Sequence, residues 1–231
     1  MDLKEQAAEA RMMGDVYSLL FECFSHPTDE FVEKLASDAV HAAFAAILDG
    51  DTSHADTQRG LELVDGTRFR DFQTGDLRLL IEADYNRLFV GPGKLLAPPY
   101  ESVYLSKRDF FQKEGKEAKA IIDPMHAASL NREYVRQGYA ISDTYSDFAD
   151  HIMFELDYCS YLYRKAAEAF EANEGDRGDA CLALERVFVA DHLAQWIGAL
   201  TERINGNTKA GFHEGAALLA RRILRLEQGA M

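Results

Sequence analysis

Three side chains that could bind a metal or support acid–base catalysis stand together near residue 150. Asp150, His151 and Glu155 are close in sequence, and residues four apart on a helix share one face. A helical metal site of this kind needs matching ligands on a second helix, and the sequence offers no second pair. We therefore expect no metal here. The alternative is that Asp150 or Asp147 caps a helix while His151 packs under the preceding loop.

Two further arrangements of reactive residue types fail on spacing. Cys159 and His151 could serve as nucleophile and base, but eight positions on one helix separate them by about 12 Å. The GPGK run at residues 91–94 lacks the GxxxxGK[ST] spacing and the preceding strand of a phosphate loop. A helix end followed by a turn explains that run. The sequence thus predicts no hydrolase and no nucleotide site, and the protein is not expected to be an enzyme.

The segment at residues 85–104 reads YNRLFVGPGKLLAPPYESVY. Its glycines should end a helix, and Pro98 and Pro99 should hold the following residues extended. A stiff loop with this much apolar content must pack on its own protein or on a partner. Tyr100 and Tyr104 are expected to contact a ligand, because each offers a flat apolar face and a hydroxyl.

Two blocks in this order resemble the TorD/DmsD/NarJ family of redox-enzyme maturation chaperones. The first holds the Leu-Phe pair, the Gly-Pro and PPYESVY of residues 88–104. The second is REYVRQGYAISDTYSDFADHIMFELDYCSYL, in which an Asp-His pair opens a helix. A weaker third similarity is HLAQWIGAL at His192 to Leu200. Ala149 stands where the family often has a proline, which predicts a looser hinge.

The resemblance implies a fold and a function. The fold would be all-α, a single-domain helical bundle of the TorD/DmsD type over residues 1–231. The protein would be a cytoplasmic chaperone that binds the twin-arginine signal peptide, or the apo form, of a molybdopterin oxidoreductase catalytic subunit until its cofactor is inserted. The alternatives are a NarJ-like assembly chaperone for a non-exported redox subunit, or a helical metal-dependent or nucleotide-hydrolysing enzyme.

The resemblance also assigns residues to peptide recognition. In this family the Asp-His pair lines the peptide-recognition region, so Asp150 would accept hydrogen bonds from a ligand arginine, with help from Glu101, and His151 would order the loop. The predicted peptide-binding residues are Leu88, Phe89, Pro98, Pro99, Tyr100, Glu101, Ser102, Tyr104, Asp150, His151 and Glu155.

Composition limits the partners. The 231 residues are 47% hydrophobic and carry a formal net charge of −14, which suits a buried core and disfavours nucleic acid, because phosphate binding needs clustered Lys and Arg. Basic ligands fit better, although the acidity could instead serve only solubility. No cofactor is expected, and the protein is predicted to be a monomer or a homodimer.

Location is predicted from what the chain lacks. The first residues, MDLKEQAAEARMMGDVYSLL, contain no basic n-region and no small-residue cleavage site. No apolar run approaches the length of about 20 residues that a membrane span needs. The three cysteines are far apart and lie in helical patterns, which is typical of reduced thiols. We expect a cytoplasmic protein without a membrane span.

Helical spacing in the first half predicts most of its elements, and no segment shows the alternation of a strand. The first helix should end before residues 25–27, and Thr28 should cap the next one. Residues 49–60 are expected to be a mobile loop. Residues 61–72 show no convincing period, and a short helix and irregular chain both remain open for them. A helix is expected to begin at Thr74.

The second half predicts further helices. Residues 107–119 favour a solvent-facing helix. The next helix should open at Asp123 and Pro124 and stop at Gly138, followed by a hinge over residues 138–147. Three more helices are expected: a long one broken at Gly175 and Gly178, one over residues 182–204, and a last one with Arg221, Arg222 and Arg225 facing out.

Overall fold

The computed structural model describes residues 2–92, 95–105 and 122–229. Regular structure in these ranges is helical throughout, apart from one isolated antiparallel bridge between Tyr100 and His151. The predicted all-α class is confirmed. The helix predicted over residues 107–119 lies outside the described residues.

The helix bounds follow the chain in order. The α-helices are α1 Leu3–Phe24, α2 Asp29–Ala36, α3 Ala39–Ile47, α4 Ala55–Val64, α5 Thr74–Tyr85, α6 Pro124–Arg136, α7 Ile152–Glu171, α8 Gly175–Asp191, α9 Leu193–Asn205 and α10 Phe212–Gly229. Short 3₁₀ helices span Asp49–Asp51 and Gly66–Arg68, and a π-helix spans Asn86–Val90. Residues 101–105 are also helical.

Backbone contacts divide the chain into two compact units. The first unit comprises Met1–Phe21 and Pro99–Trp196, and the second comprises Glu22–Pro98 and Ile197–Met231. The expectation of one domain over residues 1–231 stays a prediction.

In the first unit, α7 is the most deeply buried helix, and it joins α1 through a hydrogen bond from Ser160 Oγ to the Gly14 carbonyl at 2.7 Å. We predicted that Gly175 and Gly178 break this helix, and for Gly178 this is wrong. The chain turns at Asn173, whose φ is +60°, and Gly178 lies inside α8. It is glycine because a Cβ there would lie 2.3 Å from the Phe170 ring.

The helix predicted over residues 182–204 is also wrong, since it is two helices. α8 ends at Asp191, and His192 has φ −118° and ψ −91° before α9 begins. The break is stabilised by the Gln195 side chain, which donates to the Ala190 carbonyl at 2.7 Å. This satisfies an acceptor that the interrupted helix leaves open.

In the second unit, α4 and α10 pack face to face through glycines. A Cβ on Gly60 would lie 2.6 Å from Leu219 Cγ, so the two backbones approach too closely for a larger residue. The mobile loop expected over residues 49–60 is therefore wrong in its second half. His54 Nδ1 caps α4 by accepting from Asp56 N at 3.1 Å, and Thr57 and Gly60 are buried.

Two arginines of α10 do not face out as expected. Arg221 binds Asp56 through two hydrogen bonds of 2.7 and 2.9 Å, and Arg222 binds Asp51 in the same way. Their side chains are only 16 and 18% exposed. These two-point hydrogen bonds between arginine and aspartate connect the polar residues 49–56 to α10.

Several local predictions are confirmed. Thr28 caps α2 by accepting from Phe31 N at 3.2 Å, and Asp123 caps α6 by accepting from Met125 N at 2.9 Å. Glycines with positive φ follow the helices where expected, at Gly91 (100°) and Gly138 (82°). Such φ values suit glycine because it lacks a Cβ.

Candidate functional site

The two sequence blocks meet in the first unit and hold each other through backbone hydrogen bonds. Tyr100 and His151 form the antiparallel bridge. Ile152 N donates to the Pro99 carbonyl at 2.8 Å, and Glu101 N donates to the Asp150 carbonyl at 2.9 Å. A proline offers no N–H, but its carbonyl remains available. The prolines thus keep this segment extended without losing the pairing.

Asp150 caps the helical residues 101–105 from a distant part of the chain. Its Oδ2 accepts from Ser102 N at 3.1 Å, while Oδ1 has no hydrogen-bond partner among the described residues. The residue is fully buried. Burial raises the pKa of Asp150 above its ordinary value, and the hydrogen bonds from Ser102 oppose this only in part. Asp150 therefore orders the first block in the way an N-cap orders its own helix.

His151 caps α7, whereas the alternative drawn from the sequence gave this role to Asp150 or Asp147. The reason is geometric: His151 has extended backbone angles and its Nδ1 accepts from Met153 N at 3.2 Å. Its ring packs edge-on against Tyr100 at 5.2 Å between centroids. Burial lowers the pKa of His151 to about 4. The imidazole is therefore neutral near pH 7, as an accepting Nδ1 requires.

Glu101 is a buried carboxylate that lies between two partly exposed histidines. Its Oε2 lies 2.6 Å from His126 Nε2, and its oxygens both lie 3.0 Å from His192 Nδ1. Burial raises the pKa of Glu101, but the hydrogen bonds from His126 and His192 outweigh it and hold the pKa below its ordinary value. Glu101 in turn raises the pKa of His126, against the opposing effect of burial.

Glu155 is another buried carboxyl group in the same unit, and its pKa is shifted in the direction opposite to that of Glu101. Its Oε2 accepts from Trp196 Nε1 at 3.1 Å, and Oε1 has no partner among the described residues. Burial first, and then the negative charge of Glu101, raise the pKa of Glu155 well above its ordinary value. Both effects favour the neutral, protonated form of Glu155. Tyr104 stacks on the Trp196 ring at 5.3 Å.

The remaining predicted residues belong to the second unit. The Leu88 carbonyl accepts from Ala97 N at 2.9 Å, and Phe89 packs edge-on against Tyr85 at 5.2 Å. Pro98 is buried, as are Leu88 and Phe89. Every residue predicted to bind peptide is thus buried, in one unit or the other. Their role in binding stays a prediction.

Sequence reasoning missed one exposed segment. We call residues 142–148 the acidic–aromatic segment, because Asp143 and Asp147 are exposed and Tyr145 and Phe148 are 40 and 42% exposed. Asp147 Oδ1 accepts from Tyr100 OH at 2.9 Å. The sequence analysis placed residues 138–147 in a hinge and considered Asp147 as a helix cap, although the alternation of acidic and aromatic residues in SDTYSDF is visible in the sequence.

Sequence reasoning also missed His126 and His192 as partners of Glu101. They lie 25 and 91 positions from it, and no local spacing connects residues so far apart. His192 begins the third block of resemblance, HLAQWIGAL, and this was the one available signal.

These features define a protein whose described regular structure is helical. The segments around Tyr100 and His151 pair through backbone hydrogen bonds, and Glu101 contacts two histidines beside them. Residues 62–202 match the family described as nitrate reductase delta subunit. This is more than half of the chain, and the chain belongs to the TorD/DmsD/NarJ family of redox-enzyme maturation chaperones.

Relatives support the same assignment. The chain is 25% identical over 144 residues to the chaperone protein TorD of Photobacterium profundum, which covers 62% of this chain and 60% of that protein. It is 22% identical to the TorD chaperone of Vibrio cholerae, over 85% of this chain and 81% of the relative. It is 22% identical to the TorD chaperone of Vibrio vulnificus, over 94% of this chain and 93% of the relative. No helix among the described residues is long and apolar enough to cross a membrane.

Proposed function

We propose that this protein is a cytoplasmic chaperone that binds the twin-arginine signal peptide, the apo form, or both, of a molybdopterin-dependent oxidoreductase catalytic subunit. It would hold this client for cofactor insertion before export, and its activity would be binding without a catalysed reaction. The observation that carries the proposal is membership of the TorD/DmsD/NarJ family, with relatives named as TorD chaperones.

The acidic–aromatic segment offers the surface on which such a peptide would rest. A twin-arginine peptide combines guanidinium groups with an apolar stretch. Carboxylates bind guanidinium forks with two hydrogen bonds, and exposed rings accept both apolar side chains and cations. Asp143 and Asp147 supply the carboxylates, and Tyr145 and Phe148 supply the rings. The direct contact in our proposal is therefore made by residues 142–148.

The buried residues of the site would position this surface. Tyr100 donates to Asp147 and its ring packs edge-on against Phe148 at 6.3 Å. Tyr100 is held in turn by its bridge to His151. Asp150 and Glu101 are 0% exposed, so an arginine would reach them only after the loop opened. The experiment below compares a contact of arginine with Asp147 and the predicted contact of arginine with Asp150.

A second candidate function follows from the description of the matched family. The matched family is described as nitrate reductase delta subunit. This description favours an assembly chaperone of the NarJ kind, whose client is a redox subunit that is not exported. Such a protein would bind its client without any requirement for paired arginines. The preference for arginine over lysine therefore separates the two candidates.

The test is a titration with a labelled signal peptide carrying Arg-Arg and with its Lys-Lys variant. Because a carboxylate at the surface contributes about 1 kcal/mol to such a contact, Asp147→Asn should weaken Arg-Arg binding about fivefold and reduce the preference for arginine. Asp179→Asn is the matched control, since Asp179 is an exposed aspartate of α8 in the same unit.

Each outcome has a consequence. If Asp150→Asn loses the preference for the Arg-Arg peptide and Asp147→Asn keeps it, then Asp150 makes the contact with arginine. Binding that does not distinguish the two peptides would favour the NarJ-like function. Absence of binding to either peptide, with capture of a redox subunit lacking a signal peptide, would replace the first proposal by the second.

A further inference from the structure

Glu101, His126 and His192 bring three metal-binding side chains to one point in the first unit. Their ligand atoms all lie within 4.8 Å of one another. Two imidazoles and one carboxylate are the protein ligands of many zinc sites. We propose that these three side chains bind one divalent transition-metal cation of the Zn²⁺ class. This site goes beyond the proposed chaperone function and does not depend on it.

The present geometry is close to what the cation needs. Zinc bonds of about 2.0 to 2.2 Å in a tetrahedral site place the ligand atoms about 3.4 Å apart. Glu101 Oε2 lies 2.6 Å from His126 Nε2 and 3.0 Å from His192 Nδ1. Both of these distances must therefore widen by less than about 1 Å, and the two histidine nitrogens lie within 4.8 Å of each other.

Neighbouring residues orient the His192 ring for this role. Phe188 stacks on it with 4.7 Å between centroids. Glu133 Oε2 lies 4.0 Å from His192 Nε2, the nitrogen that points away from Glu101. A histidine that binds a metal through one nitrogen usually donates the other N–H to a carboxylate or a carbonyl. A small movement of Glu133 would make that bond and leave Nδ1 free for the metal.

Charge also favours a cation. Glu101 and Asp150 are both 0% exposed, and Glu101 N bonds the Asp150 carbonyl. Asp150 Oδ1 has no hydrogen-bond partner among the described residues. A buried carboxyl group with an oxygen that accepts no hydrogen bond is costly, and a dication bound by Glu101 would add favourable charge to this carboxyl-rich region. Sequence reasoning considered Asp150, His151 and Glu155 as metal ligands and did not evaluate this cluster.

The cation can reach the site from the histidine side. The side chains of His126 and His192 are 27 and 19% exposed, whereas that of Glu101 is 0% exposed. Three protein ligands leave one tetrahedral position for water or another small ligand. The site therefore resembles open metal centres more than closed structural ones.

The test uses the full chain, freed of metal with a chelator and then titrated with ZnCl₂ and CoCl₂. We expect one ion per chain, a visible cobalt spectrum typical of tetrahedral nitrogen and oxygen ligands, and a higher melting temperature with zinc. His126→Ala should weaken zinc binding at least about tenfold. His41→Ala is the matched control, because His41 also lies beside a carboxylate, Asp38, at 3.4 Å.

His126 is partly exposed, so its replacement should fold, and circular dichroism checks this. A second variant, His192→Ala, tests the other imidazole in the same way. The proposal is overturned if neither zinc nor cobalt binds saturably. It is also overturned if folded His126→Ala and His192→Ala bind zinc as tightly as the unaltered protein, since the ion would then be held elsewhere.

Discussion

Two buried carboxyl groups, Asp84 in the second unit and Glu155 in the first, are surrounded very differently. Asp84 accepts hydrogen bonds from Thr208 Oγ1 at 2.6 Å, from Lys209 N at 3.0 Å and from Ala210 N at 3.3 Å. It also pairs with Arg87 at 2.7 Å. Among the described residues Glu155 accepts one hydrogen bond, from Trp196. Both oxygens of Asp84 therefore have hydrogen-bond donors, whereas Oε1 of Glu155 has none among the described residues.

The difference indicates which polar groups serve stability. Asp84 holds the turn between α9 and α10 and has donors on both oxygens, as a structural residue should. The first unit instead keeps unpartnered oxygens on Asp150 and Glu155 among the described residues. Buried polar atoms without partners cost free energy. Their presence beside Glu101 and two histidines is the reason we place the candidate site in the first unit.

The largest effect is expected from neutralising Asp84. Burial raises the pKa of Asp84, but its contacts with His213, Thr208 and Arg87 outweigh burial and hold the pKa well below its ordinary value. Asp84→Asn should therefore lower the free energy of unfolding by about 3 kcal/mol, because the amide turns an N–H₂ group toward existing donors. Urea denaturation measures this.

The control for Asp84→Asn is Asp71→Asn, an exposed position in the same unit, which should change stability by less than about 0.5 kcal/mol. Equal effects at the two positions would mean that the contacts of Asp84 contribute nothing to stability.

The contrast also shows what sequence can and cannot predict. Helical spacing, Thr28 as a cap and Gly138 as a stop are local, and they were predicted correctly because the determining residues are neighbours in the chain. The turn at His192 depends on Gln195, and the order of residues 49–56 depends on Arg221 and Arg222. These were missed because their causes lie in side-chain contacts that helical spacing does not report.

The site divides in the same way. The family blocks correctly indicated that residues near 100 and near 150 belong together, and the bridge between Tyr100 and His151 joins them. Exposure could not be predicted, because an apolar loop packs equally well on its own protein or on a partner. Nor could the cluster of Glu101 with His126 and His192, since only the fold brings α6 and the α8–α9 junction to it.

An effect that depends on pH, with the sign opposite to that of Asp84, is expected at Glu155. Its pKa is raised by burial and by Glu101, so above the unfolded pKa of about 4.3 the unfolded chain releases a proton that the folded chain keeps. Stability therefore falls as pH rises, by up to about 1.4 kcal/mol per pH unit until the folded pKa is reached. Asp84 has the opposite sign, since its stabilising effect is lost as pH falls below about 4.

Glu155→Gln removes this titration and keeps an acceptor for Trp196. We expect it to cost less than about 1 kcal/mol at pH 5 and to be as stable as the unaltered protein, or more so, at pH 8. The measurement is urea denaturation of chelator-treated protein from pH 5 to 8. A difference between the two proteins that does not change over this range would show that Glu155 is ionised, and the contrast with Asp84 would be lost.

The smallest effect is expected at Thr28, which caps α2 in the second unit as His151 caps α7 in the first. Thr28 Oγ1 accepts from Phe31 N at 3.2 Å, and a hydroxyl does so at any ordinary pH. Thr28→Ala should lower the free energy of unfolding by about 1 kcal/mol, equally at pH 5 and pH 8. Thr28→Ser is the control, because serine retains the accepting oxygen and should be nearly neutral. If Thr28→Ser is as destabilising as Thr28→Ala, the methyl group of threonine, and not its capping hydrogen bond, stabilises the start of α2. The comparison of the Thr28 cap with the His151 cap of the first unit would then fail.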